Sequence, residues 1–137
     1  MRKDTALIGE NLESSYKTRR VTVNEPVSDW CCEYLTELMK ACGLIVGPAG
    51  YDFSIIGEID RFFVTETSTY RAEIGITFYV ITQDGAPVWS KRISAEADNW
   101  GSSYKATNYY ECITSAYITV FTSFFNDPSF KSALTQQ

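Results

Sequence analysis

The chain has 137 residues, of which 45% are hydrophobic and 21% charged, with a net charge of -5 and no histidine. That length suits one domain, residues 1–137, with a core large enough to stand without metals or disulfide staples. The acidic balance excludes the basic face that a nucleic-acid binder needs and argues against direct contact with an anionic membrane surface.

In chain order, residues 5–8 and 16–23 read as short strands separated by a polar turn. The one basic cluster, Lys17, Arg19 and Arg20, reads as a solvated strand edge. Asn24 and Pro26 then open a helix near residues 27–42, since Asn satisfies first-turn amides and Pro lacks the N–H that would go unpaired there. Its apolar residues are Val27, Trp30, Cys31, Tyr34, Leu35, Leu38, Met39 and Cys42, a single stripe at helical spacing. Glu25, Asp29, Glu33 and Glu37 mark the opposite face, which is either solvated or a dock for a basic partner. Gly43 follows as a left-handed cap.

Leu44 to Val46 read as a short strand, and Gly47 to Gly50 as a turn. Residues 51–66 form a long strand whose inward parity changes near Asp60-Arg61, which predicts a bulge. Residues 69–82 alternate, with Tyr70, Ala72, Ile74, Ile76, Phe78 and Val80 facing one way, the signature of a half-buried antiparallel strand. Asp84-Gly85 turns the hairpin, and residues 87–98 bring Trp89, Ile93, Ala95 and Ala97 inward. Asn108, with Glu111 three residues on, predicts the start of a second long helix near 108–125. Its stripe is Tyr109, Cys112, Ile113, Ala116, Tyr117, Val120, Phe121 and Phe124. Asp127 caps a short terminal helix with Phe130 and Leu134 inward.

No catalytic signature accompanies these elements. The chain has no nucleophile elbow, phosphate loop or dinucleotide glycine pattern. Glu58 and Asp60 share one strand face, which is either acid–base machinery or the wet side of the sheet. Cys31, Cys32, Cys42 and Cys112 have no zinc spacing, so neither a metal nor a cofactor is expected. If the two long helices lie side by side, Cys112 can approach Cys42 or Cys31. A Cys42–Cys112 disulfide is one reading and small buried hydrophobes the other. A reactive thiol would lack a base. The loop from Asn99 to Tyr104, with Trp100 and Asn108 beside it, is the candidate binding site, because aromatics on loops held by a rigid scaffold anchor interfaces. The competing reading has Trp100 closing the end of the core.

No window reaches the ~20 apolar residues that span a bilayer. The first fifteen residues lack the apolar stretch of a signal peptide. The chain is therefore expected to be either cytosolic or a mature form whose leader was removed.

Several short motifs are grouped in one order: Val21-Thr22-Val23, Pro26-Val27-Ser28-Asp29-Trp30, Cys42-Gly43, Ile56-Gly57-Glu58-Ile59 with Phe62, Trp89, Asn99-Trp100-Gly101-Ser102-Ser103, Asn108-Tyr109, and Asp127-Pro128-Ser129-Phe130 with Ala133-Leu134. Over residues 19–135 they make the chain resemble the YajG-like lipoproteins and the auxiliary lipoproteins of ABC-type transport systems. The resemblance implies a periplasmic domain held at the outer membrane by a lipidated cysteine. This chain has no lipobox, and no cysteine precedes Cys31, so the anchor would belong to a removed leader.

The sequence as a whole predicts an α+β fold, an antiparallel sheet of about four to six strands with two long helices packed on one face. It predicts a non-enzymatic envelope domain that binds or scaffolds a protein partner, or a second copy of itself. A carrier of a small apolar ligand, with its pocket between helices and sheet, is the alternative. A cytosolic enzyme using carboxylates is the third reading.

Overall fold

The computed structural model describes residues 7–11, 19–22, 26–47, 50, 52–100 and 106–135. The fold is α+β. Three antiparallel strands of 14 residues each form its centre: β3 (Phe53–Glu66), β4 (Thr69–Thr82) and β5 (Pro87–Trp100). Two short strands, β1 (Leu7–Asn11) and β2 (Arg19–Thr22), continue the sheet in the order β2-β1-β3-β4-β5. The wholly antiparallel sheet expected from sequence is corrected here, because β1 lies parallel to β3. A parallel neighbour needs a long connection, and β2 and the first helix supply it.

The alternation of β4 becomes burial. Tyr70, Ala72, Ile74, Ile76, Phe78 and Val80 are each at most 2% exposed, and burying each large member contributes about 1.5–3 kcal/mol. The expected change of parity in β3 is a register shift between Ile59 and Arg61, which turns Phe62 and Val64 into the core. At the β4–β5 hairpin Gly85 takes a φ of 89°, and the Thr82 and Ala86 main chains close the turn.

Three helices accompany the sheet: α1 (Val27–Ala41), α2 (Ala106–Phe125) and α3 (Pro128–Thr135). The expectation of two long helices packed alike on one face gives way to an unequal arrangement. All eight residues of the α2 stripe are buried, whereas α1 buries only Val27 and Cys31. The physical reason is bulk at the α1 contact. Trp30 stacks on Tyr34, with ring centroids 5.3 Å apart, and meets Phe62, Tyr110 and Tyr117 edge-on. Beyond them, Leu35 and Leu38 are only partly buried against the core. Cys42, Leu44 and Ile45 are exposed, and residues 44–46 form no strand, contrary to expectation. Tyr117 ties the two helices together by donating its hydroxyl to the Cys31 carbonyl oxygen at 2.7 Å. Burial pushes this phenol far above its ordinary pKa, so it remains a donor. The expected cap Asn24 lies outside the described residues, and Pro26, at the cap position, makes no side-chain hydrogen bond.

At the other end of the core, Phe124 stacks on Phe78 with centroids 4.3 Å apart, and Trp89 and Phe130 close around it. Asp127 fixes this junction. Its Oδ1 accepts from the Ser129 and Phe130 amides at 2.8 and 3.2 Å, which caps α3 as the sequence predicts. Its Oδ2 receives Lys91 Nζ at 2.6 Å. Ser129 Oγ in turn accepts the Trp89 indole N–H at 2.8 Å.

Lys91 first, then Ser129 and the two amides, hold the Asp127 carboxyl well below the ordinary carboxylate range. The native state therefore binds the proton less readily than the unfolded chain does. The resulting stability is present above the ordinary carboxylate pKa and is lost as pH falls through and below it. Thermal melts should show Asp127→Asn less stable than the parent chain at neutral pH, with the gap closing below about pH 4. A gap that is constant with pH would assign the effect to packing instead of charge.

Candidate functional site

Of the candidate residues, Asn99, Trp100 and Asn108 lie at one end of the sheet, where β3 ends, β4 begins, β5 ends and α2 starts. Asn99 and Trp100 are the last residues of β5, opposite Tyr70 and Thr69. The Trp100 side chain and Tyr104 lie outside the described residues. Asn108 is not the helix cap expected from sequence. The helix begins at Ala106, which places Asn108 inside the first turn, and its amide donates to the Tyr70 hydroxyl at 3.3 Å.

Beneath these residues lies a buried polar cluster that the sequence reading missed. Glu66 is 0% exposed and accepts the Tyr109 hydroxyl at 2.5 Å. Tyr109 meets Tyr70 edge-on, with centroids 4.9 Å apart. The signal was present in the sequence. After the bulge, Glu66 continues the inward parity of Phe62 and Val64, and a charge on a core parity is costly unless it is hydrogen-bonded. Glu66, Tyr109, Tyr70 and Asn108 therefore bind the ends of β3 and β4 to the first turn of α2. One turn further along α2, the Cys112 thiol lies 3.3 Å from the Ala97 carbonyl oxygen and 3.5 Å from that of Tyr70. Burial pushes its pKa up, so it stays a thiol.

Of the two readings of the cysteines, the Cys42–Cys112 bridge is not formed. All four cysteines are free, with Cys31 and Cys112 buried and Cys32 and Cys42 exposed. Cys42 is exposed at the C-cap of α1, while Cys112 is sealed against the sheet.

The surface above the cluster is a shallow open depression lined by Ala106, Thr107, Tyr110 and Glu111. Elsewhere, Glu58 and Asp60 are both exposed, as on the wet side of a sheet. Asp60 accepts Arg92 Nη2 at 2.8 Å. Arg92 lies across Gly75, where any Cβ would collide with its guanidinium. Among the described residues no group of three metal-ligating side chains converges, and no helix is long and apolar enough to cross a membrane.

The fold is shared with two solved structures. The chain superposes with a TM-score of 0.69 on protein XCC0632 from Xanthomonas campestris, assigned to the DUF330 family, at 16% identity over 98% of this chain and 81% of that one. It also superposes with a TM-score of 0.51 on a candidate lipoprotein from Caulobacter crescentus CB15, at 9% identity over 93% of this chain and 86% of that one. No protein-family pattern and no curated protein matches the chain.

Tyr109→Phe should lower stability by about 1–3 kcal/mol, because it removes a donor from a buried carboxylate. Combined with Glu66→Gln, the loss should be smaller than the sum of the two single losses, as denaturant midpoints would reveal; strict additivity would mean that the two side chains act separately. Thiol titration of the native protein should label Cys32 and Cys42 promptly, with Cys31 and Cys112 reacting only on unfolding. A titration with no fast-reacting thiol would show that Cys42 is sequestered.

Proposed function

We propose that this chain is a bacterial cell-envelope domain, lipid-anchored in its full-length form at the periplasmic face of the outer membrane, that binds or scaffolds a protein partner and performs no chemistry of its own. The likeness in fold to a DUF330 protein and to a candidate lipoprotein, each over more than nine-tenths of this chain, supports the envelope reading.

The observation that carries binding over small-ligand carriage is the filled seam between helices and sheet. Trp30, Phe62 and Tyr117 occupy the space where a carrier would hold its ligand. The apolar surface that remains points outward. Ile45 is wholly exposed, Leu44 is 40% exposed, and Asp29, Glu33 and Glu37 of α1 are exposed as well. An apolar tip beside an acidic line suits a partner with basic and apolar side chains.

The N-terminus of the full-length gene product tests this reading. Intact mass from cells should show a diacyl or triacyl cysteine, and fractionation should place the protein with the outer membrane. An unmodified N-terminus in the cytosol would overturn the envelope assignment.

A further inference from the structure

We infer that α1 is a detachable helix, which opens from α2 and β3 as one unit about Gly43 while the sheet and α2 stay folded. α2 covers β4 and β5, and its backbone lies closer to them than that of α1 lies to its own neighbours. Long side chains bridge the wider gap. Trp30 reaches Phe62, Tyr110 and Tyr117, and Tyr34 reaches Tyr117. Of the 15 residues of α1 only Val27 and Cys31 are buried, both near its start, whereas α2 buries its whole stripe. Elements with few buried apolar contacts open at a lower free energy than the molecule as a whole.

Charge does not hold α1 down. Among the described residues, every ion pair lies within the sheet or joins it to Asp127. Asp29, Glu33, Glu37 and Lys40 of α1 are exposed, and none of them joins the helix to another described element. The Tyr117 hydroxyl, donated to the Cys31 carbonyl oxygen at 2.7 Å, is the latch. At the far end Gly43 takes a φ of 87°, and a Cβ there would meet nothing within 4 Å, so the joint is unpacked. A helix of 15 residues is marginal in water on its own, so α1 loses its hydrogen bonds once it leaves its neighbours. Opening uncovers Trp30, Tyr34 and Leu38 on the helix and Phe62 and Tyr117 beneath it, an apolar surface that the closed form conceals. The inference stands independently of the envelope reading.

The two buried thiols, Cys31 on α1 and Cys112 on α2, report the opening. In a Cys32→Ser, Cys42→Ser background under native conditions, Cys31 should react slowly with a thiol reagent through local unfolding of α1. Its rate should still exceed that of Cys112 by about tenfold or more. Asp127→Asn, which weakens the opposite end of the core, should leave the Cys31 rate unchanged. Tyr117→Phe removes the latch and should raise the Cys31 rate by about tenfold. Hydrogen exchange should show the α1 amides exchanging together, ahead of those of α2 and β4. Equal rates for Cys31 and Cys112 would overturn the inference, and so would a Cys31 rate that rises with Asp127→Asn or ignores Tyr117→Phe. Exchange confined to the last turn of α1, with Cys31 as protected as Cys112, would reduce the opening to fraying and overturn it too.

Discussion

The structure depends on the apolar stripe of β4. Six alternating side chains on one strand are sealed to 2% exposure or less, and a sheet face so apolar must be covered. α2 meets that need. Its eight-residue stripe lies over β4 and β5, and its small members let it approach closely. Ala116 and Cys112 are both 0% exposed. The opposite face of the sheet can then be polar. Arg61 reaches Glu73 at 3.0 Å, Arg71 reaches Glu96, and Arg92 reaches Asp60. Exposed pairs of this kind contribute at most about 1 kcal/mol each. Their consequence is register more than stability, since a one-residue slip would bury every charge in the row.

α1 shows what happens when the covering helix is built from large side chains. Trp30, Tyr34 and Tyr117 make a deep aromatic seam, and edge-to-face contacts of this kind add about 0.5–1.5 kcal/mol each beyond burial. The helix is anchored at its start by Val27, Cys31 and the Tyr117 hydroxyl, while Leu35 and Leu38 pack only partly against the core further along.

Local patterns were legible and tertiary relations were not. The period of two in β4, the parity change at Asp60-Arg61 and the period of 3.6 in α2 are properties of a few adjacent residues, and each appears in the structure where the sequence puts it. The α1 stripe has the same period as that of α2, yet most of it is only half-buried. Periodicity states which face is apolar and says nothing of how closely a neighbour can approach. The parallel pairing of β1 with β3 depends on a connection through β2 and α1, which no window of sequence encodes. Asn108 illustrates a third kind of failure. Its side chain satisfies the capping pattern, but the helix already begins at Ala106, and its amide N–H donates to the Tyr70 hydroxyl, distant in sequence. Within the candidate site, the carboxylate at its base, Glu66, was hidden inside a strand that otherwise reads as apolar.

That hidden carboxylate ties together the strand and helix ends at this rim of the core. Glu66 closes β3, Tyr70 opens β4, Asn99 and Trp100 close β5, and α2 begins at Ala106. Chain ends are where strands fray, and apolar packing alone is weakest at a core's rim. A buried acceptor that takes the Tyr109 hydroxyl, with Tyr109 packed on Tyr70, links three elements by directional contacts that tolerate little displacement. Such a cluster is costly if any member is lost, and a rim closed by apolar residues would not share that sensitivity. The arrangement trades tolerance for geometric definition at the end of the sheet where the candidate loop departs. It does so with the functional groups of its members turned inward, so any recognition there must use the loop and the outer face of α2.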